Sequence, residues 1–106
     1  MSAPVPRRGE IWLADLDKVR PVVVLTRDPL GRYLHSVIVG PVTSTVRGLS
    51  TEVAVGPEDG LRVPSVINLD TMQLLPRGRL RRRIGRARPE VMTATCRAAA
   101  AAIGCS

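Results

Sequence analysis

The sequence predicts a single, mainly β domain of five to seven short strands followed by one C-terminal helix. Three observations carry that expectation. The 106 residues leave room for one domain, which buries roughly two-thirds of its unfolded surface and so builds one modest core. β-branched runs broken by Gly, Pro and Asp fill the first three quarters of the chain. An Ala-rich stretch closes it, with neither βαβ spacing nor internal repeats before it.

Met1 to Pro6 hold two prolines and no periodicity, and read as a flexible tail ahead of a domain spanning residues 7–104. Gly9 to Asp15 alternates as a first strand, stopped by Asp15, Asp17 and Lys18. Pro21-Val-Val-Val-Leu25 is an unbroken apolar run, as in a strand buried on both faces, with Pro21 able to open it but not to sit in its middle. Residues 27–32 read as a turn or short helical loop. Ser36 to Gly40 is a third strand ended by Pro41, and Thr43 to Ser50 is a polar loop. Thr51 to Val55 is a fourth strand, and Gly56 to Gly60 a turn by composition. Ser65–Asn68 and Thr71–Leu75 give one interrupted strand or two short ones, with Pro76 breaking the pattern. Ile84 and Gly85, set among arginines, indicate a further strand edge. Pro89 and Glu90 open a helix whose apolar stripe is Met92, Cys96, Ala99 and Ile103, ended by Gly104. An SH3-like or related compact barrel is the natural closure of so many short strands, because it removes exposed edges.

The formal net charge is +7, with 15 arginines against the single Lys18. Arginine forks match phosphate oxygens, so the excess favours a polyanionic partner such as nucleic acid. Seven arginines crowd residues 77–88. A solvated strand edge needs fewer, which favours phosphate contact over a purely anti-aggregation role. Cys96 and Cys105 form no CxxC pair and His35 is the only histidine, so no metal site and no cofactor are expected, and both thiols are expected to be reduced. No apolar run approaches the ~20 residues of a membrane span, and Arg7 and Arg8 precede no signal-peptide core. A cytoplasmic protein is expected.

Arg8-Gly-Glu-Ile-Trp-Leu-Ala-Asp-Leu-Asp17, Arg20-Pro-Val-Val-Val-Leu25, Val37-Ile-Val-Gly-Pro-Val-Thr-Ser44, Gly60-Leu61, Ser65-Val-Ile-Asn-Leu-Asp70, Arg79-Leu80 and Ile84-Gly85 follow one another in this order, with the helix last. In this set the chain resembles the MazF/PemK toxins. The resemblance implies an SH3-like barrel that forms a homodimer, cleaves single-stranded RNA sequence-selectively as an endoribonuclease, and is neutralised by an antitoxin with an acidic C-terminal segment. It places the catalytic arginine on Arg20 and the catalytic threonine on Thr43. Two departures stand out. The family's long Gly- and Glu-rich loop between the first two strands is cut to Lys18 and Val19, and its Glu-Gln-x-Arg line reads Asp70-Thr-Met-Gln73.

Metal-free RNA cleavage needs a base for the 2′-OH, charge stabilisation at phosphorus and a proton for the leaving oxygen, giving a 5′-OH and a 2′,3′-cyclic or 3′-phosphate. One histidine per chain excludes a two-histidine mechanism within a subunit. Arg20 suits the phosphorane oxygens and is no base; Thr43 suits proton relay. Glu10, Asp15 and His35 are the candidate bases. Candidate RNA contacts are Ser44 and Arg47 beside Thr43, and Arg77, Arg79, Arg81 and Arg83 in the basic run, with Trp12 and Tyr33 available for stacking. Without the resemblance, Arg20 reads as a solvated charge and Thr43 as a turn residue. Two other readings remain. One is a gyrase-poisoning toxin of the CcdB type, disfavoured because the chain ends Ile-Gly-Cys-Ser without that group's Trp-Gly-Ile. The other is a plain nucleic-acid-binding barrel, for which stacking aromatics are scarce.

Overall fold

A computed structural model describes residues 5–28 and 33–105. Its seven strands are β1 (Glu10–Asp15), β2 (Val19–Val24), β3 (Ser36–Thr43), β4 (Glu52–Val55), β5 (Ser65–Asn68), β6 (Gln73–Pro76) and β7 (Leu80–Arg86), followed by helix α1 (Pro89–Ala102). All pairings are antiparallel, in the order β4-β5-β3-β2-β1-β7, with β6 also on β3. The interrupted segment is therefore two strands, split by a 3-10 turn at Leu69–Thr71, and both use β3. The tail expected at residues 1–6 lies outside the described residues except for Val5, which is exposed, and Pro6, which is buried. Most of the expected loop at 27–32 lies outside them too.

Val22, Val23 and Val24 are wholly buried, as the unbroken apolar run required. Val23 joins the larger core with Ile11, Ile67 and Leu69, while Val22 joins a second cluster with Val37, Val39, Leu75 and Leu80. The prolines expected to bound strands instead lie within them, Pro76 as the last residue of β6 paired with Ser36, and Pro21 and Pro41 further inside. Pro21 pairs with Leu13 before pairing with β3 begins at Val22, and Pro41 falls between the last β6 partner, Val39, and the first β5 partner, Val42. Each missing N–H thus coincides with a gap in the ladder, where a proline is tolerated. The consequence reaches the site: β3 extends through Pro41 and carries Thr43 on its last position rather than in a loop.

The ladder does not close on itself, since β4 and β7 end the strand order. The 3-10 turn Pro57–Asp59 after β4 bridges the gap by lying against β7. A Cβ at Gly85 would fall 2.0 Å from the Asp59 carbonyl oxygen, and one at Gly60, where φ is +99°, would fall 2.6 Å from the Ile84 carbonyl oxygen and 2.7 Å from the Gly85 Cα. Asp59 locks the seam. Its buried carboxylate accepts from the Gly56 amide at 3.0 Å and from the Arg88 amide and Nε at 2.9 and 3.1 Å.

α1 covers the larger core, but its buried face is turned from the expected stripe. Val91, Thr95 and Ala98 are buried, with Met92, Ala99 and Ala102 beside them. Thr95 is not part of the expected stripe. Its hydroxyl donates to the Val91 carbonyl at 2.7 Å, which lets it enter the core. Cys96 is exposed, with Arg8 donating to its sulfur, and Ile103 lies beyond the last helical turn.

Candidate active site

One cleft of about 710 Å³ gathers residues from both halves of the barrel. It begins at the β1–β2 hairpin, whose loop is only Leu16, Asp17 and Lys18, tied by the Leu16 amide donating to the Lys18 carbonyl at 3.0 Å. So short a loop sets Asp17 beside the second residue of β2. Arg20 Nε donates to Asp17 Oδ1 at 3.0 Å and its Nη2 to Oδ2 at 3.3 Å. Those hydrogen bonds hold the Asp17 carboxyl below its ordinary range and raise Arg20 further.

Thr43 ends β3 on the same cleft, its hydroxyl accepting from the Thr45 amide at 3.1 Å. The following loop is pinned by Glu52, whose carboxylate accepts from the amides of Arg47 and Leu49, each at 3.1 Å. Arg47 and Arg79 line the cleft with Arg20, and Asn68 and Gln73 supply amide groups. Three guanidinium groups, the threonine hydroxyls at 43, 45 and 71, and two amides can hold phosphates and read base edges.

Of the expected site residues, Arg20, Thr43, Arg47 and Arg79 therefore meet in one cleft. Ser44 is exposed next to Thr43 but does not line it. Arg77 donates to the Leu34 carbonyl. Arg81 and Arg83 lie on β7 facing β1, paired with Asp15 at 3.1 Å and Glu10 at 2.9 Å, and are outside the cleft. Trp12 and Tyr33 are outside it as well.

None of the three candidate bases is there. Glu10 is buried; burial opposes its ionisation, but hydrogen bonds from the Arg7 amide, Arg83 and Trp12 outweigh it and lower its pKa. Asp15 faces Arg81, and exposed His35 lies elsewhere. The cleft carboxylates are instead Asp17 and Glu52. Asp17 was legible in principle, since it precedes Arg20 by three residues once the intervening loop is lost. Glu52, Asn68 and Gln73 had no local signal. Among the described residues no group of three or more His, Cys, Asp or Glu could hold a metal ion, and no helix is long and apolar enough to cross a membrane.

The model of the PemK-like, MazF-like toxins of type II toxin-antitoxin systems matches residues 7–103. The chain belongs to this family. Endoribonuclease MazF3 of Mycobacterium tuberculosis is 49% identical to this MazF-like toxin over 75 residues, 71% of this chain and 73% of that one. The fold matches that of the M. tuberculosis toxin MazF-mt6 with a TM-score of 0.88 at 41% identity, over 92% of this chain and 98% of that one. It also matches an endoribonuclease in complex with its cognate antitoxin from a mycobacterial species, at a TM-score of 0.87 and 29% identity, over 95% and 97% of the two chains. These relatives place the chain with the RNA-cleaving toxins and lend nothing to the gyrase-directed alternative.

Proposed function

We propose that this MazF-like toxin cleaves single-stranded RNA in the Arg20–Thr43 cleft, without a metal, leaving a 5′-OH and a 2′,3′-cyclic or 3′-phosphate. The observation that carries this reading is the convergence of Arg20, Thr43, Arg47 and Arg79 on one cleft from three stretches of the chain: β2, the end of β3 with the loop that follows it, and the turn before β7. Arg20 stabilises the negative oxygens of the phosphorane, Thr43 relays a proton, and Arg47 and Arg79 hold flanking phosphates. Purified protein is expected to cut RNA in excess EDTA and to yield those ends; an absolute need for Mg²⁺ or Mn²⁺ would overturn the mechanism.

The same basic cleft suits an antitoxin with an acidic C-terminal segment, and the cognate-antitoxin complex of a structural relative supports such a partner. RNA and antitoxin then compete, and both affinities fall with salt. The toxin acts in the cytoplasm as a homodimer. Ile38 and Leu74, paired in register on β3 and β6 and both exposed, give an apolar face for the second copy.

A further inference from the structure

The Asp17–Arg20 pair leaves half of the guanidinium unused. Arg20 carries five N–H donors in a plane, and the edge formed by Nε and Nη2 is turned to Asp17. The edge formed by Nη1 and the outer side of Nη2 engages nothing among the described residues, and Arg20 lines the cleft. A phosphate held bidentately on that second edge lies beside the Asp17 carboxylate, in nearly the same plane. The attacking 2′-OH belongs to the ribose that carries this phosphate on its 3′-oxygen, so it falls in the narrow space between the two anions.

We propose that Asp17 is the general base for the 2′-OH, with Arg20 holding the base on one edge and the scissile phosphate on the other. The inference rests on RNA cleavage in the Arg20–Thr43 cleft. Asp17 takes the 2′-OH proton as the 2′-oxygen bonds to phosphorus. The bond from phosphorus to the 5′-oxygen breaks, and that oxygen takes a solvent proton relayed by Thr43. The products are a 2′,3′-cyclic phosphate and a 5′-OH, and Asp17 returns its proton to solvent.

The other cleft carboxylate is already committed, since Glu52 accepts from the amides of Arg47 and Leu49. Lys18 follows Asp17 in its own loop, and the other charged groups lining the cleft are Arg20, which pairs with Asp17, and Arg47, Glu52 and Arg79. The Arg20 hydrogen bonds keep its carboxyl below the usual range, so it stays ionised throughout the neutral region. It is a modest base that is always in the working form. The pair is also exposed, with the Asp17 side chain 72% accessible, so its loss does not unfold the protein.

The test is single-turnover cleavage of a short RNA at saturating protein between pH 5 and 9, with folding followed by circular dichroism and RNA affinity by filter binding. Asp17→Asn is expected to cut at least ~100-fold more slowly while binding RNA as well as the parent, since general base catalysis contributes about 10²–10⁴. Asp17→His is expected to regain part of the rate as pH rises through about 6.5, where imidazole loses its proton. An Asp17→Asn protein as fast as the parent, or faster with tighter binding, would show Asp17 to be only a resident anion on the fork. An Asp17→His variant tracking Asp17→Asn at every pH would make Asp17 only a holder of Arg20; either result overturns the proposal. Arg20→Ala separates this from the broader reading. If it is slow while Asp17→Asn is not, the base assignment alone fails; if it cuts at the parental rate, the cleft itself is misassigned.

Discussion

Arg20 and Arg83 show how neighbourhood decides what one side-chain type does. Both are paired with a carboxylate, but Arg20 shares an exposed Asp17 on a cleft and Arg83, on β7, answers the buried Glu10 of the neighbouring β1. Arg20→Ala is expected to slow RNA cleavage ~100-fold or more, as loss of one preorganised donor does, with Arg20→Lys restoring little because an ammonium has no second edge. Thr43→Ala is expected to be slow and Thr43→Ser partly active, because the hydroxyl survives. Single-turnover rates check both. Arg47→Ala and Arg79→Ala are expected instead to weaken RNA binding and lower the slope of log affinity against log salt by about 1 each. Arg83→Ala is expected to leave that slope unchanged and to lower the denaturation midpoint, because Glu10 then keeps a buried charge without its cation. Sequence alone could not sort these arginines. The run at 77–88 supplies Arg79 to the cleft, Arg81, Arg83 and Arg88 to ion pairs, and Arg82 and Arg86 to solvent, and only the strand register and its bulges separate them.

At the scale of elements, the strands were legible because their apolar runs and turn residues are local, whereas partner exchange is not. Pro41 read as a terminator, and only the handover of β3 from β6 to β5 shows why the strand continues to Thr43. The helix was legible in length and ends but not in rotation, because burial of Thr95 depends on one hydroxyl–carbonyl bond. The seam between β4 and β7 was not legible at all, since it joins Gly60 to Gly85 across distant sequence. Gly85→Ala forces a methyl onto the Asp59 carbonyl oxygen, and is expected to cost about 3 kcal/mol or prevent folding, at the upper end of overpacking; urea unfolding measures it. If the proposed homodimer packs through the exposed β3–β6 face, Leu74→Arg is expected to give a folded monomer by light scattering, because a charge cannot enter an apolar interface between copies.

The whole molecule holds a net charge of +7 while spending Asp15, Asp17, Glu10 and Asp59 on arginines. Two of these carboxylates, Glu10 and Asp59, are buried. For Asp59, burial opposes ionisation, yet the Arg88 side chain and the amides of Arg88 and Gly56 outweigh it, so its folded pKa lies below the ordinary carboxylate value. Glu10 is lowered in the same way. A carboxyl with a depressed folded pKa contributes stability that is fully present above its unfolded pKa and is lost as pH falls towards the folded one. The urea midpoint is therefore expected to be level from pH 7 to about 5 and to drop below about pH 4, where unfolded Asp and Glu protonate. Protonation also releases unbalanced arginine charge, so added salt is expected to soften the drop by screening repulsion. Asp59→Asn removes one of the two groups. It is expected to be less stable than the parent at pH 7, because the neutral amide no longer balances Arg88 or accepts its donors as strongly, and to lose less on acidification. Equal acid slopes for the two proteins in chemical denaturation would show that Asp59 does not carry the seam between β4 and β7.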